Sequence, residues 1–260
     1  MRTKVQFTAG KERCNMKRLF SFLNLFVFVL VFTVAARGEF EKDSVKTNSG
    51  NLDIIFVGHG TLMFSFGGKV IHIDPWSRLA DYSKMPKADI ILITHEHQDH
   101  LDLKALGSIR TEKSLVVLPQ NCLSRVGDGI VMNNGDVKTI GGLRIEAVPA
   151  YNIVHMRSEG VPFHPKGAGN GYVITFGDKR VYIAGDTENT PEMKKLEDID
   201  IAFLPMNLPY TMTAEMVADA AKAFRPKVLY PYHYGITDTS EIVRLLKDVQ
   251  GLEVRIRNMK

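Results

Sequence analysis

Cysteine is almost missing from this chain. Cys14 and Cys122 are the only two in 260 residues, and Cys14 lies in a segment that reads as a removable leader. Cys122 is then left without a partner for an internal disulfide. An oxidising compartment is compatible with that count but draws no support from it. Tryptophan occurs once, at Trp76. There is no glycine-rich phosphate-binding motif, no added nucleic-acid module and, after the leader, no lipid-binding stretch. Basic charge is also scarcer than it looks. The formal net charge is +4, but seven basic residues and one acidic residue fall within positions 1–37, so the remainder carries −2. The positive balance belongs to the targeting segment, and nothing in the rest asks for a nucleic-acid partner. The apolar and charged fractions, 45% and 24%, suit one domain with a full core.

The first forty residues differ in character from the rest of the chain. Lys17 and Arg18 precede the apolar run Leu19 to Val34, which ends in Ala35 and Ala36. A basic start, an apolar centre and a small-residue exit form the pattern of a secretory signal peptide. Met16 is then the expected start, with residues 1–15 an upstream over-read. Residues 1–37 are read as over-read plus signal, 38–50 as a polar linker and 51–260 as the catalytic domain. The expected location is periplasmic or secreted. A retained membrane anchor is the runner-up, because the run is near the lower length for spanning.

The densest chemistry sits at Ile90-Ile91-Leu92-Ile93-Thr94-His95-Glu96-His97-Gln98-Asp99-His100. Four apolar residues after Asp89 predict a buried strand, and Leu101, Leu103, Ala105, Leu106 and Ile109 have helical spacing. His95 to His100 therefore sit where a strand turns into a helix. Neutral imidazoles and an ionised carboxylate suit Zn²⁺. His95 and His97 can point the same way from an extended stretch, while Asp99 and His100 face a neighbouring point, which predicts two adjacent metals. An N-cap role for Asp99 would explain one residue of the four.

His95-Glu96-His97-Gln98-Asp99-His100 resembles the H-x-H-x-D-H signature of the metallo-β-lactamase superfamily. Val57-Gly58-His59-Gly60, Ile73-Asp74-Pro75-Trp76, Ala184-Gly185-Asp186-Thr187 and Tyr232-His233-Tyr234-Gly235 extend the resemblance in order from about Leu52 to the C-terminus. Within the superfamily the chain is most similar to the branch that contains L-ascorbate-6-phosphate lactonase. The resemblance implies His95, His97 and a third histidine on one metal, Asp99, His100 and His233 on the other, and Asp186 bridging. His164, in Phe163-His164-Pro165-Lys166-Gly167, is expected as the third histidine over His155. Asp74 is expected to support the ligands, His59 to lie near the site mouth, and His72, between Ile71 and Ile73 on a strand, to be structural.

The remaining sequence predicts one strand-rich plan used twice. Strands over 52–57, 61–66 and 69–73 are mirrored by a hairpin over 171–176 and 180–184, with Asp74 and Asp186 closing equivalent strands. Further strands are expected over 114–118, 143–148, 199–204, 228–230 and 252–256, and helices over 120–125, 214–224 and 241–249. Asn133-Asn134-Gly135-Asp136 is read as a hairpin, Trp76 as lying at a sheet edge, and 149–169 as a long functional loop. With helices outside, the fold class is α/β, an αββα four-layer sandwich.

The implied activity is hydrolysis of a lactone, ester or phosphodiester in a small molecule. The cofactors would be two divalent ions, zinc first and manganese or iron next, with a bridging hydroxide as nucleophile and Asp99 assisting proton transfer. A flavodiiron-type oxidoreductase shares the fold but carries a carboxylate where this chain has His97. A non-catalytic metal-binding protein is the other alternative. Tyr151, Lys166, Asn170 and Tyr210 are the polar loop residues expected near the substrate.

Overall fold

The computed structural model describes Met1 and residues 40–260. The signal-peptide reading of residues 16–36, the start at Met16 and Cys14 lie outside the described residues. Among the described residues, no helix is long and apolar enough to cross a membrane.

Short strands rich in β-branched and aromatic residues, punctuated by glycine turns, make two sheets. The first takes β1 (Glu41–Thr47), β2 (Gly50–Gly58), β3 (Thr61–Phe66), β4 (Lys69–Ile73), β5 (Ile90–Leu92), β6 (Leu115–Leu118) and β7 (Ile130–Val131) side by side in chain order. Its pairings are antiparallel as far as β4 and parallel from β4 onward. The second sheet starts with β8 (Val137–Ile140) and β9 (Leu143–Ala150). A small ribbon of β10 (Met156–Ser158) and β11 (Val161–Pro162) stands apart from both sheets. The second sheet then continues through β12 (Gly169–Phe176), β13 (Lys179–Ile183), β14 (Ile201–Pro205), β15 (Val228–Tyr232) and β16 (Glu253–Val254). It repeats the rule, antiparallel as far as β13 and parallel beyond. The duplicated plan expected from the sequence is thus present, with β1, β7 and β8 added to the strands expected.

The helices are α1 (Leu103–Ile109), α2 (Leu123–Val126), α3 (Ala214–Phe224) and α4 (Thr239–Leu246). β5 shows why four layers form. Ile90 and Leu92 join the core shared by the two sheets, while Ile91 and Ile93 join Ala105, Leu106 and Ile109 of α1. A strand apolar on both faces needs a cover on each. On the second sheet, Val217, Ala221 and Phe224 of α3 and Ile242 and Leu246 of α4 join the main core. The result is the helix–sheet–sheet–helix sandwich.

The structure corrects several local expectations. The linker read over 38–50 becomes, from Glu41, the outermost strand of the first sheet. From Lys42 its exposure alternates, with Lys42, Ser44 and Lys46 outward and Asp43, Val45 and Thr47 turned in, as in a half-exposed edge strand. Its Asp43 accepts hydrogen bonds from Arg257 Nη2 at 2.7 and 2.8 Å and one from the Tyr230 hydroxyl. Asn133 to Asp136 is no hairpin between neighbouring strands. It carries the chain from β7 in the first sheet to β8 in the second, and the hairpin is Gly141-Gly142 between β8 and β9. Trp76 follows β4, which pairs on both sides, so it does not mark a sheet edge. The last strand shrinks to Glu253–Val254.

Candidate metal centre

The C-terminal ends of β4, β5, β13 and β15 converge, and each ends in a residue the sequence singled out: Asp74, the His95 to His100 segment, Asp186 and His233. Convergence here is the usual consequence of parallel strands, whose loops all leave by one edge. The segment after β5 does not run straight into α1. Asp102 is the N-cap, accepting from the backbone amides of Lys104 and Ala105, and Asp99 is left free to face the cluster.

Two groups of four result: His95, His97, His164 and Asp186, and His59, Asp99, His100 and His233. Within each, ligand-type atoms lie no more than 4.8 Å apart. In the first, His97 Nδ1 is 3.1 Å from His95 Nε2 and 3.2 Å from His164 Nε2, and Asp186 Oδ2 is 3.3 Å from His164 Nε2. In the second, Asp99 Oδ2 lies 3.1 Å from His59 Nε2, 3.6 Å from His233 Nε2 and 3.7 Å from His100 Nε2. Asp186 reaches both groups, with Oδ1 at 3.4 Å from His100 Nε2 and Oδ2 at 3.5 Å from His233 Nε2.

The arrangement fits a metal better than it fits a hydrogen-bonded network. His100 Nε2, His233 Nε2 and Asp186 Oδ1 are buried and have no hydrogen-bond partner, a costly condition unless something else satisfies them. The contacts between neighbouring donor atoms are close to the edges of a tetrahedron, which run about 3.3–3.4 Å for bonds of about 2.0–2.1 Å. All the donors are imidazole or carboxylate, a set that accepts zinc, manganese or iron.

Supporting groups fix the rings. Asp74 Oδ2 holds His100 Nδ1 at 2.8 Å, which turns Nε2 inward, and accepts the Thr94 hydroxyl at 2.6 Å. Asn152 Oδ1 does the same for His164 Nδ1 at 2.7 Å. Such outer contacts set tautomer and orientation. Burial works to raise the Asp186 pKa, but His233, His100 and His164 outweigh it and hold the carboxyl well below its usual range. Asp99 behaves likewise, with burial overcome by His233 and His59. Burial lowers His100, yet Asp186 and Asp74 push it up to about 10. Burial depresses His95 and His97.

The backbone is bent to serve the cluster. His59, Asp74 and His233 all have positive φ, at 50°, 45° and 48°, a strain that concentrates at functional sites. Gly60 is needed for a separate reason: a Cβ there would lie 2.7 Å from His100 Cε1.

All seven expected ligands, His95, His97, Asp99, His100, His164, Asp186 and His233, thus lie together. His155 is elsewhere, its Nδ1 2.7 Å from Glu188 Oε1. His72 is buried on β4 with Nε2 3.1 Å from the Pro86 carbonyl. Of the four expected substrate residues, only Tyr210 lines the cleft of about 400 Å³ beside the cluster. Tyr151 and Lys166 are spent on Glu192, and Asn170 donates to the Met132 carbonyl and accepts from Asn134. Sequence reasoning missed Arg157, Gln98 and Asn207 in the cleft wall. It also missed Glu188, whose carboxylate receives the amides of Ile153, Val154 and His155 at 2.7 Å each. A carboxylate two residues after Asp186 was the available signal for Glu188; none marked Arg157.

A family model described as the β-lactamase superfamily domain matches residues 53–233. A metal-dependent hydrolase of Methanopyrus kandleri is 29% identical over 221 residues, spanning 78% of this chain and 94% of its own. A solved protein of Parabacteroides distasonis, described as a metal-dependent hydrolase, is 51% identical with a TM-score of 0.81 and covers 85% of this chain and 100% of its own. A metallo hydrolase of Ignicoccus hospitalis is 27% identical with a TM-score of 0.66, over 80% of this chain and 96% of its own.

Proposed function

This chain belongs to the β-lactamase superfamily and is a metal-dependent hydrolase, and from that premise we propose that it uses two divalent cations to cleave a lactone, ester or phosphodiester in a small molecule. The observation that supports a pair is Asp186, the one carboxylate among the described residues that reaches both histidine groups. His95, His97 and His164 would hold one cation and Asp99, His100 and His233 the other, with Asp186 shared. Zinc is the first expectation, with manganese or iron as alternatives. Such cations supply a water acidic enough to attack near neutral pH and polarise the oxygen of the scissile bond.

The protein's own groups do the rest. Asp74, Thr94 and Asn152 hold imidazoles in register, so little reorganisation is needed during reaction. Asp99 Oδ2 lies at the cleft with His59 Nε2 3.1 Å away; ionised at rest, it would accept the proton released by the attacking water and relay it to the leaving oxygen. The cleft, with Gln98, Asn207 and Tyr210 in its wall, orients the substrate. The resemblance of residues 163–172 to the ascorbate-phosphate lactonase branch makes lactones the first substrates to try.

Metal analysis of purified protein should find close to two equivalents of transition metal, and Asp186→Ala should loosen both. A folded protein that takes up none after supplementation would sink the assignment. A panel of lactone, phosphodiester and thioester substrates separates an enzyme from a binding protein of the same fold. We also propose export, on the strength of the basic, apolar and small-residue sequence over 16–36. A reporter fused after Arg37 should leave the cytoplasm, with the mature chain starting near that point. Retention inside would remove the reading, and an uncleaved membrane product would favour the anchor.

A further inference from the structure

β10 contributes Arg157, and the loop after β14 contributes Asn207 and Tyr210, to the lining of the cleft. Arg157 of β10 lines the cleft, with its guanidinium 5.6 Å from the centre of the Phe163 ring. Phe163 in turn packs edge-on against Tyr210 at 5.1 Å. Tyr210 is tied down through its carbonyl, which accepts from Asn152 Nδ2 at 2.9 Å, and Asn152 also orients His164. Arg157 and Tyr210, which both line the cleft, are therefore bridged by the Phe163 ring and tied through Asn152 to the candidate metal centre. An arginine laid on an aromatic face keeps its planar fork of donors while losing some of its freedom.

That fork has nothing to bind within the protein. Among the described residues, Arg157 has no ion pair and no side-chain hydrogen bond, a condition shared by Arg78, which lies over Trp76 outside the cleft lining. Arg125 and Arg225 donate to backbone carbonyls, and Arg110, Arg144, Arg180, Arg244, Arg255 and Arg257 pair with carboxylates. The two carboxylates lining the cleft, Asp99 and Asp186, face imidazoles instead. Apart from the histidines, Arg157 is the only basic side chain among the described residues of the lining. We infer that Arg157 is a specificity residue, and that the substrate carries an oxyanion, carboxylate or phosphate, remote from the bond cleaved, which the guanidinium binds in the cleft beside Tyr210. The inference rests on the hydrolytic reading for what happens at the other end of the substrate. A second, independent anchor of this kind fixes the position of a bond relative to the attacking water, so its loss should raise KM for anionic substrates and leave neutral ones alone.

The test is calorimetric titration of metal-loaded protein with 4-phenylbutyrate, with 2-phenylethyl phosphate and with the neutral 4-phenylbutyramide, using wild type, Arg157→Met and Arg157→Lys. Metal content is measured on the same samples. Wild type should bind at least one anion more tightly than the amide. Arg157→Met should weaken that anion about five- to tenfold, an exposed charge-assisted contact being worth no more, without changing amide affinity or metal content. Arg157→Lys, which keeps the charge but not the fork, should recover part of the loss. Which anion responds tells carboxylate from phosphate. Protein that takes up no metal while Arg157→Met still weakens the anion would sink the hydrolytic reading alone. Metal-loaded protein in which Arg157→Met leaves both anions unchanged, or in which neither anion binds at millimolar concentration, would overturn the anion-anchoring role.

Discussion

His164 and His155 share one loop and one chemistry, and their partners separate them. His164 directs Nδ1 to Asn152 and Nε2 to His97 and Asp186, while His155 spends its ring on Glu188. Losing a direct ligand should cost far more metal affinity than the roughly 10–100-fold typical of outer contacts. His164→Ala is therefore expected to empty one metal position and abolish hydrolysis, with His155→Ala keeping its metal; the reverse pattern in metal analysis would move the ligand role to His155. The motif from His95 to His100 is legible in the sequence because its ligands lie within one short turn. His164 is legible only through Pro165 and the glycines beside it, and Arg157 is not, since nothing in a sequence says which exposed arginine faces a cleft. His72 offers a separate test, of pH. Burial, opposed by its bond to Pro86, lowers its pKa to about 4, against about 6.5 in an unfolded chain. The unfolded chain thus takes up the proton first. Stability is fully present above about pH 6.5 and falls toward pH 4, by about 2 kcal/mol at pH 5. His72→Gln, which keeps a donor for the Pro86 carbonyl, should show a shallower fall in denaturant midpoint across that range. Parallel curves would rule the group out.

Elements are most legible where a strand is apolar on both faces and least where it is polar. β5, β13 and β14 stand out as apolar runs. β1 does not, because Glu41, Lys42, Asp43 and Lys46 look like a tether until the partner residues are known. Those partners lie more than one hundred and eighty positions away: Asn258 donates its amide to Glu41, and Arg257 and Tyr230 bond Asp43. No local pattern carries that information. The turn at 133–136 misleads for the same reason, since a turn residue set cannot say whether the next strand pairs with the last one or starts another sheet. The edge strand should matter to stability. Asp43 is half-buried against Arg257 and Tyr230, and hydrogen bonds to a charged group contribute about 1.5–3 kcal/mol. Asp43→Ala is expected to lower unfolding free energy by an amount of that order while leaving metal content unchanged. Wild-type stability in that variant would mean β1 is a passive cover.

Across the whole fold, the described residues build two similar seven-stranded sheets whose functional ends meet. His59, the His95 to His100 segment and Asp74 come from the first sheet, and His164, Asp186 and His233 come from loops and strand ends of the second. The candidate ligands therefore straddle the plane between the halves. Between the sheets lies a large apolar core, from Leu52 and Phe64 on one side to Tyr172 and Phe203 on the other, so the fold does not depend on metal for its existence. The histidine end is different, because buried imidazole and carboxylate atoms without partners face one another there. Cations bound to the folded chain alone stabilise it by mass action, about 4 kcal/mol for each site at a thousandfold excess over its dissociation constant. In a domain of this size each kcal/mol moves the melting temperature by about 2–4 °C. Chelation should then lower the melting temperature on the order of 10 °C or more without unfolding the protein at room temperature, and metal addition should restore it. Asp186→Ala, which removes the carboxylate common to both groups, should melt low already and respond weakly to chelator. Trp76, the only tryptophan, with its ring 5.1 Å from that of His59, reports the transition by fluorescence at the centre itself. Equal melting temperatures for chelated and reloaded protein, with two metals bound in the latter, would mean the unfolded chain binds them as well, and the cluster would then not be the pre-formed site its geometry describes.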